Sequence, residues 1–424
     1  MMQPLPGSLN SLNKKITIWG AGFSGLVLGY YLKKNGFRIK IYEKSSRVGG
    51  KIRTKRNSFG LSETGANALF MNQDAIDLIK DLQLEPIPAS QKLKKLILIN
   101  GKPKKALQLK VLLKVISRAY ARPPLISDGL TVADFFRPLL GDEIIHQLLS
   151  PALGGVYSTP AEKLHFKSIF EIPNNIAQFN SYWLFFKTLL NKRKQNSKLE
   201  IKGSISFEGG MQVLIDKLYS QLKDDIVTNN KKPFTLNENT IICTDAHSAA
   251  DLLEDKLPAI SKELRRINYQ SLSSTTVFLK REIRNLNNAF GILIPAETNM
   301  KSIGVVNNKA VFPINNSNVY SYTLISKQRM EESDISSDLK ILNHDFVPED
   351  IEHTESHYWE KAIPIYDLQR YLSIKKIDEI LSKNEGLVLF GNYVNGISLR
   401  EMITLSKNLA TSLSENQNLN SEAN

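Results

Sequence analysis

Cysteine is nearly missing from this sequence: Cys243 stands alone among 424 residues. That excludes an internal disulfide framework and fits a reducing compartment. The N-terminal "MMQPLPGSLNSLNKK" has no apolar core with a cleavage site, so secretion is not expected and a cytoplasmic protein is. Ser/His/Asp constellations are absent too. His353 and His357 in "HTESH" are metal-like only on a helix, and the strand-like "YWEKAIP" follows, so two solvated histidines and no metal are expected.

Only one stretch comes close to bilayer length with almost no charge, "ITIWGAGFSGLVLGYYL", Ile16 to Leu32. Its glycines favour a nucleotide cradle over a membrane span. Gly20, Gly22 and Gly25, with Ala21, Phe23 and Ser24 between them, form G-x-G-x-x-G after the β-branched run Ile16-Thr17-Ile18. In a βαβ unit the first glycine makes the tight turn, the second admits a pyrophosphate to the backbone, and the third permits close helix–strand packing. The following "FRIKIYEK" alternates like a second strand and ends in Glu43-Lys44, where a carboxylate can accept hydrogen bonds from ribose hydroxyls. Strand, glycines, helix, strand and acid in this order point to a dinucleotide; an ordinary αβ turn is the bland alternative.

Immediately after the acid, "SSRVGGKIRT" places Arg47, Gly49, Gly50, Lys51 and Thr54 as a second glycine turn flanked by cations. This resembles the second glycine motif of two-dinucleotide-domain flavoproteins, the superfamily of amine oxidases, phytoene desaturases and protoporphyrinogen oxidases. The cofactor implied is FAD. Cys243, in the strand-like "NTIICTDA", is then better explained by packing than by a flavin linkage or nucleophilic catalysis.

The remaining composition is that of a globular chain with room for two or three domains: 42% hydrophobic and 23% charged, with a net charge of +13. The surplus is uneven. From Gln91 to Ser127 there are ten lysines and arginines and no acid, and "LQLKVLLKVISRAYA" can form a helix with Lys110, Lys114 and Arg118 off its apolar side. Such a segment suits an anionic membrane surface as well as a solvated helix face. No aromatic-interleaved platform accompanies it, so nucleic acid is not an expected partner.

Later blocks fall in an order similar to that of protoporphyrinogen and coproporphyrinogen oxidases. They are "GDEIIHQLLSPALGGVYSTPAEKL", "SFEGGMQVLIDKL", "FGILIPAE", "SIGVVNNKAVFP", "YWEKAIPIY" and "GLVLFGNYVNGISLREMI". The resemblance implies that Gly65-Ala66-Asn67-Ala68, after Glu63, lie near the flavin ring. It implies that Gly391-Asn392 end a strand, and that Gly396, Ile397 and Ser398 open a helix facing the flavin's pyrimidine end. It also places Lys95 at a propionate-pairing position and Gly155 in the substrate pocket. The chemistry implied is FAD-dependent oxidation of protoporphyrinogen IX or coproporphyrinogen III in haem biosynthesis, by hydride transfer to flavin N5 with oxygen as acceptor. No side-chain base is demanded and no catalytic residue is assigned. An amine oxidase, a carotenoid-type desaturase and a catalytically eroded flavin-binding scaffold stay open. The chain departs from the pattern in a short 224–253 region lacking a β-meander, in "IPIYDLQR", which puts Ile365 where glutamine is common, and in "ITLSKNLATSL".

The expected fold is α/β. A Rossmann-like FAD domain is built from 14–91, 203–258 and 384–414. An interleaved α+β substrate domain takes 92–104 and 259–383. A mainly helical, membrane-associating segment takes 105–202, and 1–13 and 415–424 are expected to be disordered tails. A tetrapyrrole substrate, peripheral contact of 91–127 with the inner face of a membrane, and a homodimer complete the expected partners.

Overall fold

The computed structural model describes residues 7–9, 14–105, 109–170, 172, 176–195, 199–236, 239–314, 319–383, 386–394 and 396–422, without the side chains of Lys110, 191–195 and 416–422. A six-stranded sheet runs Gly7–Ser8, Leu387–Leu389, Thr240–Ile242, Lys15–Trp19, Arg38–Tyr42, Ile226–Val227. All its pairings are parallel except that of Gly7–Ser8. Parallel strands need crossovers, and the Phe23–Lys34 helix supplies the first one. Gly29 lets that helix lie on the sheet: a Cβ there would stand 2.8 Å from the Ile41 Cδ1. Ile16, Ile18, Leu26, Val27 and Ile41 are buried between helix and strands.

A second, seven-stranded sheet has the order Ile351–Pro364, Tyr269–Leu279, Tyr320–Ser326, Ser302–Asn307, Ala289–Leu293, Lys94–Ile99, Lys102–Lys105. It is antiparallel apart from the parallel pairing of Ala289–Leu293 with Lys94–Ile99. Between the Lys102–Lys105 and Ser204–Ser206 strands the main described elements are the helices Leu109–Arg118, Val132–Leu140, Ser150–Tyr157 and Tyr182–Gln195. Their core is aromatic. Phe135 stacks on Phe166 at 4.2 Å between centroids, with Phe185 and Tyr182 against its edges.

Two features differ from the sequence reading of the tails. Gly7–Ser8 is an edge strand on Leu387–Leu389, with Leu9 buried behind it, and the last helix runs from Leu399 to Glu422. Backbone pairing along an otherwise open sheet edge orders the first, and continuous helical hydrogen bonding from a packed first half extends the second. Residues 1–6, 10–13 and 423–424 of those tails lie outside the described residues. Among the described residues no strand falls between Ile226–Val227 and Thr240–Ile242, in keeping with the abbreviated region. Nor is any described helix long and apolar enough to cross a membrane. His353 and His357 lie in the Ile351–Pro364 strand rather than free in solvent. They are half-buried, His353 stacking on Phe59 at 5.6 Å and His357 meeting Trp359 at 4.4 Å.

Candidate active site

Each parallel strand of the first sheet ends on the same side, and the loops leaving those ends form one wall of a cavity. Gly20 takes φ +103 and its amide donates to the Tyr42 carbonyl at 2.8 Å. Gly25 fits under it because a Cβ there would stand 2.0 Å from the Gly20 oxygen. The second glycine turn packs directly on the first: Gly49 N–H donates to the Ala21 carbonyl at 2.8 Å and Gly22 bridges Gly49. The Phe23–Lys34 helix starts at Gly22 with no side-chain cap and no acid in its first turn. Such a start is built for an anion.

The Glu43 carboxylate spans the two turns. It accepts from the Ala21 amide at 2.8 Å and from the Ser45 amide at 2.9 Å. Arg47 turns onto its own loop, donating to the carbonyls of Val48 and Gly50 at 2.7 Å each. It fixes the turn and is not on the cavity wall.

The cavity measures about 1640 Å³, against roughly 300–1,000 Å³ for ordinary small-molecule sites. It has room for a dinucleotide and a second molecule. Two buried polar atoms at its edge, Asn67 Oδ1 and Trp19 Nε1, have no hydrogen-bond partner among the described residues. Unpaired buried groups of this kind call for a polar ligand. With the uncapped helix start and the glycine-to-glycine approach, they make the residues present a fit for FAD.

The 63–68 loop joins this wall to the second sheet. Trp359 Nε1 donates to the Thr64 carbonyl at 2.6 Å, and Ser274 Oγ to the Glu63 carbonyl at 2.9 Å. The Glu63 carboxyl accepts from Thr54 Oγ1 at 2.9 Å and Met211 N–H at 2.8 Å. Burial outweighs these bonds and pushes its pKa up to about 7. Lys51 Nζ reaches across to the Ala362 carbonyl at 2.8 Å, and burial lowers its pKa to about 8.

Most of the residues expected from sequence meet on the cavity. Gly20, Gly22, Phe23, Ser24, Lys44, Gly49, Gly50, Lys51 and Ala66 line it, as do Asn392, Ile397, Lys95 and Gly155. Ala21, Gly25, Arg47, Gly396 and Ser398 stand behind the lining. A Cβ on Gly396 would meet the Glu401 Oε2 at 2.0 Å, and the Ser398 carbonyl accepts the first amides of the last helix. Asp245, Trp19 and Lys309 also line the cavity and were missed. Asp245 had a legible signal, an acid between a strand and a helix, and it caps His247 and Ser248. Cys243 is buried against Gly20 and burial pushes its thiol pKa up, so it packs the turn.

Fold and site together define a dinucleotide-binding flavoprotein of the oxidoreductase class, with FAD as its cofactor. Residues 23–232, just under half of the chain, match the family described as "Flavin containing amine oxidoreductase". It is similar, at 26% identity over 92% of both chains, to protoporphyrinogen oxidase 2, chloroplastic/mitochondrial, of Arabidopsis thaliana. It is 23% identical to coproporphyrinogen III oxidase of Bacillus subtilis (strain 168), over 93% of this chain and 96% of that one. Cyclohexylamine oxidase from Brevibacterium oxydans IH-35A has the same fold, with a TM-score of 0.67 at 12% identity, covering 95% of this chain and 99% of that one.

Proposed function

We propose that this enzyme oxidises a porphyrinogen, protoporphyrinogen IX or coproporphyrinogen III, to the porphyrin in haem biosynthesis, with oxygen as final acceptor. The observation that carries this reading is that the carboxylates on the cavity wall are confined to one side of it, although lysines such as Lys44, Lys51, Lys231 and Lys232 stand on that side too. These carboxylates, Glu43, Glu63, Asp245 and Asp251, all belong to the nucleotide-binding stretches. The second sheet and the short Asn308–Val311 helix beside it contribute apolar surface such as Phe290, Leu293, Val305 and Phe312, together with the cations Lys95 and Lys309, and no carboxylate among the described residues. An apolar slot with cations suits a large flat ring bearing carboxylates. The matching relatives named for porphyrinogen oxidation support the same substrate.

The protein's part is position, shape and charge. Bound FAD supplies the acceptor for a hydride leaving carbon. The apolar walls exclude water and hold the macrocycle, while Lys95 and Lys309 draw its carboxylates to one side. Glu63 is engaged by Thr54 and Met211, so it holds the 210–212 turn rather than acting as a base. The start of the Leu399–Glu422 helix, close to Asn392 and Ile397 on the wall, offers its positive end to negative charge gained on reduction.

Purified protein should be yellow and should turn one of the two porphyrinogens into fluorescent porphyrin with uptake of oxygen. A yellow protein inert towards both favours an amine or carotenoid substrate, and a colourless protein refutes the reading.

The helical segment adds a second contact, with an anionic membrane surface. Leu109, Leu113 and Ile116 of the Leu109–Arg118 helix are 70%, 57% and 60% exposed, and Tyr120 is 80% exposed. Trp183, 49% exposed, continues this apolar face, since its amide donates to the Ala119 carbonyl at 2.7 Å. Lys114, Arg118 and Arg122 belong to the same segment, the Arg118 guanidinium donating to the Pro138 carbonyl at 2.7 Å. An exposed apolar face on a basic segment is the form of one that lies in a lipid interface.

A further inference from the structure

Arg370 is the only fully buried lysine or arginine among the described residues, at 3% exposure. No carboxylate there forms an ion pair with its guanidinium; that of Asp367, which accepts the Arg370 backbone amide at 2.8 Å, acts on it only through space. The guanidinium is directed mainly at backbone: Nε donates to the Tyr393 carbonyl at 2.8 Å and Nη2 to that of Val394, while Nη1 reaches Ser168 Oγ at 3.5 Å, and it lies 3.8 Å from the centroid of the Tyr366 ring. The Tyr366 hydroxyl donates to the Asn392 carbonyl. Three successive carbonyls, those of residues 392–394, are thus held by one cation and the phenol beneath it. Gly391 just before them, Asn392 itself and Ile397 further along line the cavity. The phenols of Tyr366 and Tyr269 near the guanidinium give it no counter-ion, because burial keeps both neutral.

From this geometry we infer that Arg370 is a positioning residue for FAD: it fixes the turn that forms the flavin-side wall, and its charge, held there without a direct ion pair among the described residues, raises the reduction potential of the bound cofactor. The inference rests on the cofactor placement proposed above. Reduction adds negative charge to the flavin, and a fixed cation in a poorly polarisable interior favours that state. The same cation would be costly if it served packing alone.

The test compares holoenzymes of wild type, Arg370→Gln, Arg370→Lys and Tyr366→Phe by dye-equilibrated reduction potential, FAD release and thermal unfolding. Arg370→Gln is expected to lower the equilibrium constant for flavin reduction about tenfold, about 30 mV for a two-electron couple. Arg370→Lys keeps the potential while releasing FAD faster, and Tyr366→Phe does the same. Potentials equal to wild type in the glutamine variant, with only the unfolding temperature lowered, would overturn the inference. Where the glutamine variant does not fold, Arg370→Lys carries the test: raising pH removes the lysine charge and must lower the potential more steeply than in wild type, and an equal slope overturns it. A wild-type protein that binds no FAD sinks the proposed function, whereas unchanged potentials in yellow variants sink only the role of Arg370.

Discussion

Gly22 and Gly50 face each other across the two glycine turns, so that a Cβ on Gly50 would stand 3.1 Å from the Gly22 Cα. One on Gly22 clears the Gly50 Cα by 3.8 Å, and its φ of −68° suits an L residue. Gly22→Ala should therefore fold with an unfolding temperature near that of wild type. Its methyl, however, enters the space beside the helix start, and FAD should bind at least about tenfold more weakly, since even about 1.4 kcal/mol of lost contact suffices. Gly25→Ala is the opposite case, its methyl falling 2.0 Å from the Gly20 oxygen. It should lose about 1–3 kcal/mol of stability, as overpacked cores do. Flavin absorbance after gel filtration and thermal unfolding of both variants check the pair; Gly22→Ala binding FAD as tightly as wild type would remove the phosphate role.

Glu63 makes stability depend on pH in a stated direction. Its folded pKa of about 7 lies above the ordinary 4.5. Between these values the unfolded chain releases a proton that the folded chain keeps, so stability falls as pH rises from about 4.5 to 7 and is level above. The span is up to about 3 kcal/mol. Glu63→Gln retains an acceptor for the Met211 amide and has nothing to ionise. Denaturant midpoints measured from pH 5 to 8 should be flatter in the variant, and parallel curves would dismiss the buried carboxyl as their cause.

The contrast between Gly20 and Arg370 shows what the sequence could tell. Gly20, Gly22, Gly25 and Glu43 were legible because a strand–turn–helix–strand unit fixes where each spacing falls, whatever the remainder of the chain does. Lys95 and Gly155 were placed by the order of whole blocks. Arg370 was not legible as a site residue, since an arginine on the Leu368–Leu381 helix reads as a solvated charge until the 392–394 turn folds over it. Arg47 illustrates the converse. Its position beside the second glycine pair was clear, but its direction depended on which carbonyls the turn left open.

The apolar face at Leu113 and Ile116 predicts a separable membrane contact. Leu113→Glu with Ile116→Glu should abolish co-sedimentation with anionic vesicles at low salt, while leaving flavin content and unfolding temperature unchanged, because both side chains are mostly exposed. Wild-type protein that ignores such vesicles would leave this face as a solvated helix.

Lys95 allows binding to be separated from chemistry. It lies on the Lys94–Ile99 strand, lines the cavity and is exposed, so it meets substrate where solvent still screens charge. Lys95→Met should raise KM about 3–10-fold with kcat nearly unchanged, the signature of an interaction equal in ground and transition states. Added salt should raise KM for wild type more than for the variant. A fall in kcat at constant KM would instead place Lys95 against the reacting carbon, and the carboxylate assignment would pass to Lys309, which sits half-buried on the same wall.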